Sequence, residues 1–254
     1  MKKIILTAAL LSVVIILSGQ STHSSFREDQ KKNSRVRVAY NEKDGSIKKL
    51  LKEHSIDISF LKIFIRVFKK EAMMEVWAAG KGESAFRLLK TYPICASSGG
   101  LGPKRKGGDG QVPEGFYHIE SFNPFSNFFL SLKVSYPNQS DKVLCDTKNP
   151  GGDIFIHGNC VTIGCMPITD DKIKEVYLLA VEAKNAGQSL ISVHVFPCKM
   201  DATGMNYLEK EYPRQQKLLN FWKDLKQGFD FFENGKKIPA VSVNKDGSYS
   251  FKNE

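Results

Sequence analysis

A histidine and a cysteine lie eight positions apart in residues 154–170, which read I-F-I-H-G-N-C-V-T-I-G-C-M-P-I-T-D. They are His157 and Cys165. An imidazole is a base near neutral pH, and it can take the proton of a neighbouring thiol to form a thiolate. A thiolate attacks a carbonyl carbon and forms a thioester. The pair therefore predicts a cysteine-dependent acyl-transfer site. A buried structural cysteine with a hydrogen-bonded histidine is the alternative.

The residue before the cysteine supports the catalytic interpretation. Gly164 has no side chain, so the backbone N–H groups around Cys165 can point toward the oxygen of an attacked carbonyl. Such donors stabilise the negative charge that develops on this oxygen in the transition state. We therefore expect the Gly164 backbone to take part in an oxyanion hole.

A zinc site competes for the same side chains. His157, Cys160 and Cys165, completed by Cys145 or Cys198, would form a tetrahedral set of nitrogen and sulfur ligands. The spacing H-x2-C-x4-C lacks the paired cysteines that make such sites recognisable. Disulfide formation in an exported protein would also compete for the sulfurs. The sequence therefore disfavours a zinc site at these residues.

Residues 97–115 are rich in glycine and contain two prolines, which predicts a long loop. Long loops inside a compact domain are usually functional. The loop lacks the Lys-Ser/Thr pair of a P-loop, and it does not form G-x-G-x-x-G between a strand and a helix. Nucleotide binding is therefore excluded.

The amino terminus predicts export. Lys2 and Lys3 precede an apolar stretch at 4–17, and small and polar residues follow at 18–21. This order is typical of a secretory signal peptide, here residues 1–21. The stretch is shorter than the roughly 20 residues of a membrane span, which favours a signal peptide. An uncleaved membrane anchor is the alternative. Gln20 stands where a lipoprotein would carry its acylated cysteine, so we expect no membrane span or lipid anchor after cleavage.

The overall charge indicates which partners a periplasmic or cell-envelope protein could bind, whereas the cysteine count is unusual for such a protein. The 254 residues include 37 Lys and Arg against 27 Asp and Glu, a formal charge of +10. Export makes a nucleic acid an improbable partner, so an anionic envelope surface or a carboxylate-bearing substrate is the natural counterpart. The five cysteines are an odd number, which leaves at least one unpaired or bonded to another chain.

Several elements must position the pair. Residues 22–46 are polar and predict a poorly ordered linker, and 47–54 predict a short amphipathic helix. Alternating apolar residues predict strands at 62–68, 73–78, 85–95, 116–121, 128–136, 153–157 and 190–196. A helix follows at 170–185, which Thr169 or Asp170 would cap. The pattern indicates a mostly β protein with flanking helices, of α+β class.

The C-terminal region has a different pattern. Apolar spacing predicts helices at 206–211 and 214–232, and a hairpin is expected near the turn at 245–247. Packing of these helices on the sheet is the simpler interpretation, and binding of a partner is the alternative.

The catalytic segment resembles the L,D-transpeptidase family, whose YkuD-type domain carries His-Gly followed by Ser/Thr-x-Gly-Cys. Here these elements are residues 157–158 and 162–165. The short spacing is similar to that of the subgroup of murein transpeptidases and hydrolases with the motif H-G-N-C-V-S-x-G-C. Segments at 93–95, 98–104, 113–117 and 194–197 also resemble this subgroup, so the resemblance spans about residues 58–200.

The resemblance implies a β-sandwich catalytic domain, here residues 47–200, followed by a helical extension at 201–254. It implies that Cys165 is the nucleophile and His157 the general base and later the acid, with Gly164 in the oxyanion hole. The substrates would be peptidoglycan stem peptides or an envelope protein attached to them. Both cross-linking and hydrolysis proceed through the same thioester, so the sequence leaves them open.

Substrate binding is expected to differ from that of many family members. They place an arginine two positions after the nucleophile, where this chain has Pro167. The expected substrate-binding residues are therefore Gly100, Lys104, Arg105 and Thr162, although a solvated charge run is an alternative for the two basic residues. The competing hypothesis for the whole chain is a noncatalytic envelope-binding module with structural histidine and cysteine residues around zinc.

Overall fold

The computed structural model describes residues 25–252, so the predicted signal peptide at 1–21 lies outside the described residues. The helices are α1 (Phe26–Lys31), α2 (Ser34–Glu53), α3 (Gln139–Leu144), α4 (Thr169–Asn185), α5 (Ala202–Glu211) and α6 (Gln216–Gly235). The strands are β1 (Lys62–Phe68), β2 (Met73–Ala79), β3 (Arg87–Pro93), β4 (Gly115–Asn123), β5 (Ser131–Val134), β6 (Phe155–His157), β7 (Met166–Pro167), β8 (Ser192–Phe196), β9 (Ala240–Val243) and β10 (Tyr249–Lys252). Every predicted strand is present with bounds shifted by a few residues, and β7 is an addition.

One sheet holds eight strands in the order β3-β2-β1-β8-β4-β5-β6-β7. β4 joins its two halves, because residues 115–118 pair with β8 and residues 119–123 pair with β5. The register of β4 shifts between Ile119 and Ser121, and such a shift bends a strand and increases its twist. The sheet therefore curls around its core, and the predicted α+β class is confirmed.

Helix α4 lies at the centre of the main hydrophobic core. Its residues from Val176 to Ala183 are buried, which explains why its sequence is apolar on more than one face. The predicted helix at 170–185 is confirmed, but the predicted cap is wrong. Ile168 is the N-cap residue and no side chain caps this end.

The predicted disordered linker at 22–46 is wrong from Phe26 onward, because this region forms α1 and most of α2. Ser25 and Asn33 cap these helices with their side chains. The buried stripe of α2 is narrow, and one side of the helix packs on α4 while the rest is polar. A helix with so few apolar residues among many charges has the composition of a disordered segment, which explains the wrong prediction. The predicted short helix at 47–54 is the end of α2.

The C-terminal region packs on the opposite side of the sheet, as predicted. A second core forms between β1, β4 and β8 and the apolar faces of α5 and α6. Arg66 of β1 is buried there and forms ion pairs with Glu75 (2.8 Å) and Glu233 of α6 (2.6 Å). The predicted hairpin is β9 and β10. Across residues 25–252, no helix combines the length and the apolar character needed to cross a membrane.

Candidate active site

The parallel pairing of β6 with β7 positions the predicted pair. Ile156 pairs with Met166, and His157 pairs with Pro167. Neighbouring side chains along a strand point to opposite faces of a sheet. Cys165 directly precedes β7, so it projects to the same face as His157, diagonally across the two strands. The structure thus brings the two predicted catalytic residues to one face.

His157 is arranged as a neutral base. Its ring is buried and stacks on Phe128 with 4.5 Å between centroids. Nδ1 bonds to the carbonyl oxygen of Gly158, which can only accept, so Nδ1 carries the proton and Nε2 has the free lone pair. Nε2 is buried without a hydrogen-bond partner within residues 25–252. Burial lowers the pKa of His157, which the bond to Gly158 opposes, so the ring is neutral near pH 7.

Cys165 is a partly exposed, protonated thiol in this structure. Its Sγ donates to the carbonyl oxygen of Asp153 at 3.5 Å and makes no hydrogen bond to His157. Burial raises the pKa of the thiol and the Asp153 carboxylate adds to this effect, whereas a hydrogen bond from the backbone N–H of Phe155 and the Lys104 ammonium oppose it. Proton transfer to His157 therefore requires the thiol to turn from Asp153, a change between staggered rotamers of one side chain.

Thr162 and Gly164 form the turn that carries the nucleophile. The N–H groups of Gly164 (3.1 Å) and Cys165 (2.8 Å) donate to Thr162 Oγ1, and this hydroxyl donates to the carbonyl oxygen of Cys165 (2.8 Å). Gly164 has a φ of 138°, and a Cβ there would lie 3.0 Å from the carbonyl oxygen of Gln111. The Thr162 hydroxyl is thus used within the turn, which differs from the predicted substrate contact. The Gly164 N–H also donates within the turn, so an oxyanion bound there would share this donor with Thr162.

A disulfide and a carboxylate fix the position of the residues between His157 and Cys165. Cys160 is bonded to Cys95, which follows β3. Asp170 of α4 accepts the N–H of Asn159 at 2.7 Å. The disulfide removes Cys160 from the zinc set considered above, so that interpretation is wrong. The described cysteines with free thiols are Cys145 and Cys198, both buried, and Cys165.

An open cleft of about 340 Å³ lies beside Cys165. Its lining residues come from β1 and the turn after it, the segment after β3, the glycine-rich loop, the Cys165 turn and the C-terminal region. They are Val67, Lys69, Lys70, Ile94, Ala96, Ser97, Ser98, Gly99, Gly100, Leu101, Val112, Cys165, Met166, Tyr207 and Tyr212. Gly100 is therefore at the cleft, as expected for a substrate-binding residue, whereas Lys104 and Arg105 do not line it.

The two predicted basic residues have structural partners instead. Lys104 is buried and donates to Asp109 (2.6 Å) and to the carbonyl oxygen of Lys106 (2.9 Å). Burial opposes ionisation of Asp109, but Lys104 and three backbone N–H groups lower its pKa to about 2. Arg105 contacts Asp141 (3.3 Å) and lies over the Phe221 ring. Both cations therefore hold the glycine-rich loop, and neither is free to bind a substrate carboxylate as predicted.

The sequence did not single out several cleft residues. Lys70, Tyr207 and Tyr212 come from distant segments, so no local motif could join them to Cys165. Ser98 is the exception, since it lies in the loop predicted to be functional. Its Oγ is buried and has no hydrogen-bond partner in the described part of the chain.

The chain is similar in sequence to a known catalytic domain and to two named proteins. Residues 62–187 match the family model described as "L,D-transpeptidase catalytic domain", named YkuD. The chain is 34% identical over 194 residues to a protein of Escherichia coli (strain K12) described as "Putative L,D-transpeptidase YafK", covering 76% of this chain and 75% of that protein. The same identity and coverage hold for the protein of this description in Escherichia coli O157:H7.

Two solved structures are also similar. The helical cell shape determining protein Pgp2 from Campylobacter jejuni has 17% identity and a TM-score of 0.42, covering 78% of this chain and 80% of that one. Bd1075 from Bdellovibrio bacteriovorus has 18% identity and a TM-score of 0.39, covering 74% and 79%. The sequence matches place the His157 and Cys165 connection inside the matched catalytic domain. The chain therefore belongs to the L,D-transpeptidase catalytic family, whose domain acts on peptidoglycan.

Proposed function

We propose that this chain is an exported cysteine-dependent acyltransferase that acts on peptidoglycan stem peptides in the periplasm or cell envelope. The observation that carries the proposal is the pairing of β6 with β7. It places a thiol at an open cleft on the same face as a neutral imidazole with a free Nε2 lone pair. The signal peptide predicted at 1–21 supports export.

The first half-reaction forms a thioester. Cys165 turns from Asp153 and gives its proton to His157 Nε2, and the thiolate attacks a carbonyl carbon of the stem peptide. The resulting oxyanion shares the N–H donors of Gly164 and Cys165 with Thr162 Oγ1, as three-centre hydrogen bonds allow. The C–N bond breaks as the Nε2–H of His157 protonates the departing amine.

The second half-reaction releases the acyl group. An incoming amine or water gives a proton to Nε2 and attacks the thioester carbonyl, and the C–S bond breaks. The thiolate then takes the proton back from His157, which restores the resting thiol and neutral imidazole. An amine yields a cross-link, or an attachment to an envelope protein, and water yields hydrolysis. Because the resting thiol and imidazole are both neutral, each turnover requires a proton transfer from Cys165 to His157. The mechanism uses no metal and no organic cofactor.

The test is to incubate the purified protein with muropeptides and to follow bond changes by mass spectrometry. The wild type is expected to cleave or exchange stem peptides and to accumulate an acylated form whose mass shift maps to Cys165. Cys165→Ala should abolish both signals, and Cys198→Ala, which changes a buried free thiol of the second core that does not line the cleft, should keep them. Equal conversion by wild type and Cys165→Ala would overturn the proposal.

Export is tested separately, by measuring whether the signal peptide is removed. The intact mass of the protein recovered from the periplasm of a Gram-negative host should lack the predicted signal peptide. An unprocessed protein found only in the cytoplasm would contradict export without affecting the chemistry of the site.

A further inference from the structure

The Cys165 cleft has one wall that the catalytic segment does not supply. Tyr207 of α5 and Tyr212 line it, although both lie beyond residues 62–187 of the matched catalytic domain. Tyr212 is held edge-on against Trp222, with 5.0 Å between ring centroids. Trp222 Nε1 donates to Glu114 at 2.8 Å, near the end of the glycine-rich loop. The C-terminal wall is thus anchored to the part of the chain that forms the rest of the cleft.

Lys70 provides an available cation at this wall. Its Nζ lies 4.5 Å from the centroid of the Tyr207 ring, and it forms no ion pair within residues 25–252. The neighbouring Lys69 differs, because its Nζ pairs with Glu114 (3.0 Å) and donates to the carbonyl oxygens of Gly102 and Val112. Lys69 is therefore satisfied by the protein, whereas the exposed Lys70 is free to meet a ligand.

Two hydroxyl donors accompany this cation. The phenol groups of Tyr207 and Tyr212 have no hydrogen-bond partner in the described range, and both residues are half-buried. Burial, the neighbouring Tyr207 and, to a smaller extent, the carboxylates of Glu114 and Glu211 raise the pKa of Tyr212, so its phenol stays protonated and can donate. The lining residues include no aspartate or glutamate. An ammonium and two phenols without a carboxylate form a complementary environment for an anion.

We propose that Lys70, Tyr207 and Tyr212 form a carboxylate-binding subsite in the Cys165 cleft, through which the C-terminal region selects anionic stem peptides as substrates. This inference rests on the function proposed above. Pro167 stands where an arginine follows the nucleophile in many relatives, and Lys104 and Arg105 are engaged in the loop. Lys70 is the cation at the cleft that remains available. The apolar lining beside it fits the uncharged part of a short peptide.

The experiment compares two substrates, a stem peptide with its free carboxyl groups and the same peptide with these groups converted to carboxamides. For the wild type, amidation should lower kcat/KM about tenfold, mainly through KM, as expected for the loss of a charge-assisted contact. Lys70→Ala should lose about tenfold on the acid substrate and be nearly indifferent to amidation. Lys70→Glu should lose more on the acid substrate, because like charges repel.

Lys81→Ala is the matched control. Lys81 is exposed and lies 4.7 Å from the Phe60 ring centroid, so it has a similar cation–π contact but does not line the cleft. This variant should retain the wild-type preference for the acid substrate. If Lys70→Ala also retains it, the subsite is wrong.

A binding measurement separates this inference from the proposed function. Calorimetry with Cys165→Ala and with Cys165→Ala/Lys70→Ala should show about tenfold weaker binding of the acid peptide by the double variant. If the wild type turns over neither peptide but this difference appears, the subsite stands and the catalytic proposal fails. Equal binding by the two variants would overturn the subsite, whatever the activity.

Discussion

The sheet contains two buried histidines whose surroundings differ. His157 of β6 and His194 of β8 each have a buried ring nitrogen without a hydrogen-bond partner in the described chain, Nε2 and Nδ1 respectively. Burial lowers the pKa of both rings. His194 lies between the rings of Phe64 and Phe116, at 4.5 and 4.7 Å. His157 stacks on a single ring beside a thiol-bearing turn.

Comparing the two histidines shows which observations can identify a catalytic base. An unpartnered nitrogen and a lowered pKa occur both in a closed aromatic core and beside a cleft, so neither is sufficient. What distinguishes His157 is Cys165, a second reactive group on the same face that lines an open cleft. Gly158 also fixes its tautomer. His194 has comparable electrostatics, but the surrounding rings exclude a substrate.

The largest expected effect comes from exchanging the two histidines for glutamine. His157→Gln should lower kcat about 10³-fold, because general acid–base catalysis typically contributes 10²–10⁴-fold. His194→Gln should change kcat by less than about threefold, since its ring is remote from the reacting atoms. Kinetics on muropeptides, with thermal unfolding to verify folding, measure both. Similar losses in the two folded variants would remove the distinction.

The second effect concerns the turn that presents Cys165 to His157. Thr162→Val removes a hydroxyl that accepts two N–H groups and donates to one carbonyl, so kcat should fall about 10–100-fold as the nucleophile loses its position. Thr162→Ser keeps the hydroxyl and is the control, with near-wild-type kcat. Full activity in Thr162→Val would show that strand pairing alone holds the cysteine.

The third effect uses acid stability to test burial of His194. Burial, and then the nearby Arg66, lower its pKa to about 3, compared with about 6.5 in an unfolded chain. The unfolded state thus binds more protons below pH 6.5, and the free energy of unfolding falls as the pH drops toward 3. The slope from one group is at most about 1.4 kcal/mol per pH unit.

His194→Gln should flatten this slope between pH 6 and pH 4 in urea titrations. His157→Gln should change the slope in the same direction. An unchanged slope in His194→Gln would contradict the enclosed, neutral ring.

The smallest effect concerns Ser98. Its hydroxyl has no hydrogen-bond partner in the described chain and lies at the Cys165 cleft, so it resembles His157, which is near this cleft, more than the enclosed His194. Ser98→Ala removes a buried polar group without a partner, and the free energy of unfolding should rise by up to about 1 kcal/mol. If the hydroxyl contacts the substrate, kcat/KM should fall by about tenfold at most. Lower stability in urea titrations would show that the hydroxyl is satisfied in the free protein.

Local sequence patterns predicted much of the fold and the centre of the site. The strands and α4 were predicted because their apolar residues repeat with the period of the element that buries them. His157 and Cys165 were predicted because one short connection carries both. The α1–α2 region was missed since its buried stripe is narrow and its charges dominate the composition.

Other features depend on pairs that are far apart in the chain. The disulfide joins Cys95 to Cys160 across 65 positions, and five cysteines allow many pairings. Lys104 is a contrasting case, because its carboxylate partner Asp109 is only five residues away, but the contact forms only when the loop has folded.

The groups available for chemistry follow from the sequence alone, because a base, a thiol and a glycine within one connection stay close together in any compact fold. Their protonation state and their surroundings follow from the tertiary structure. Burial makes the imidazole neutral, the Thr162 hydroxyl occupies the N–H donors, and folding of the C-terminal region brings Tyr207 and Tyr212 to the cleft. These properties arise from desolvation and from long-range contacts, which no local spacing encodes.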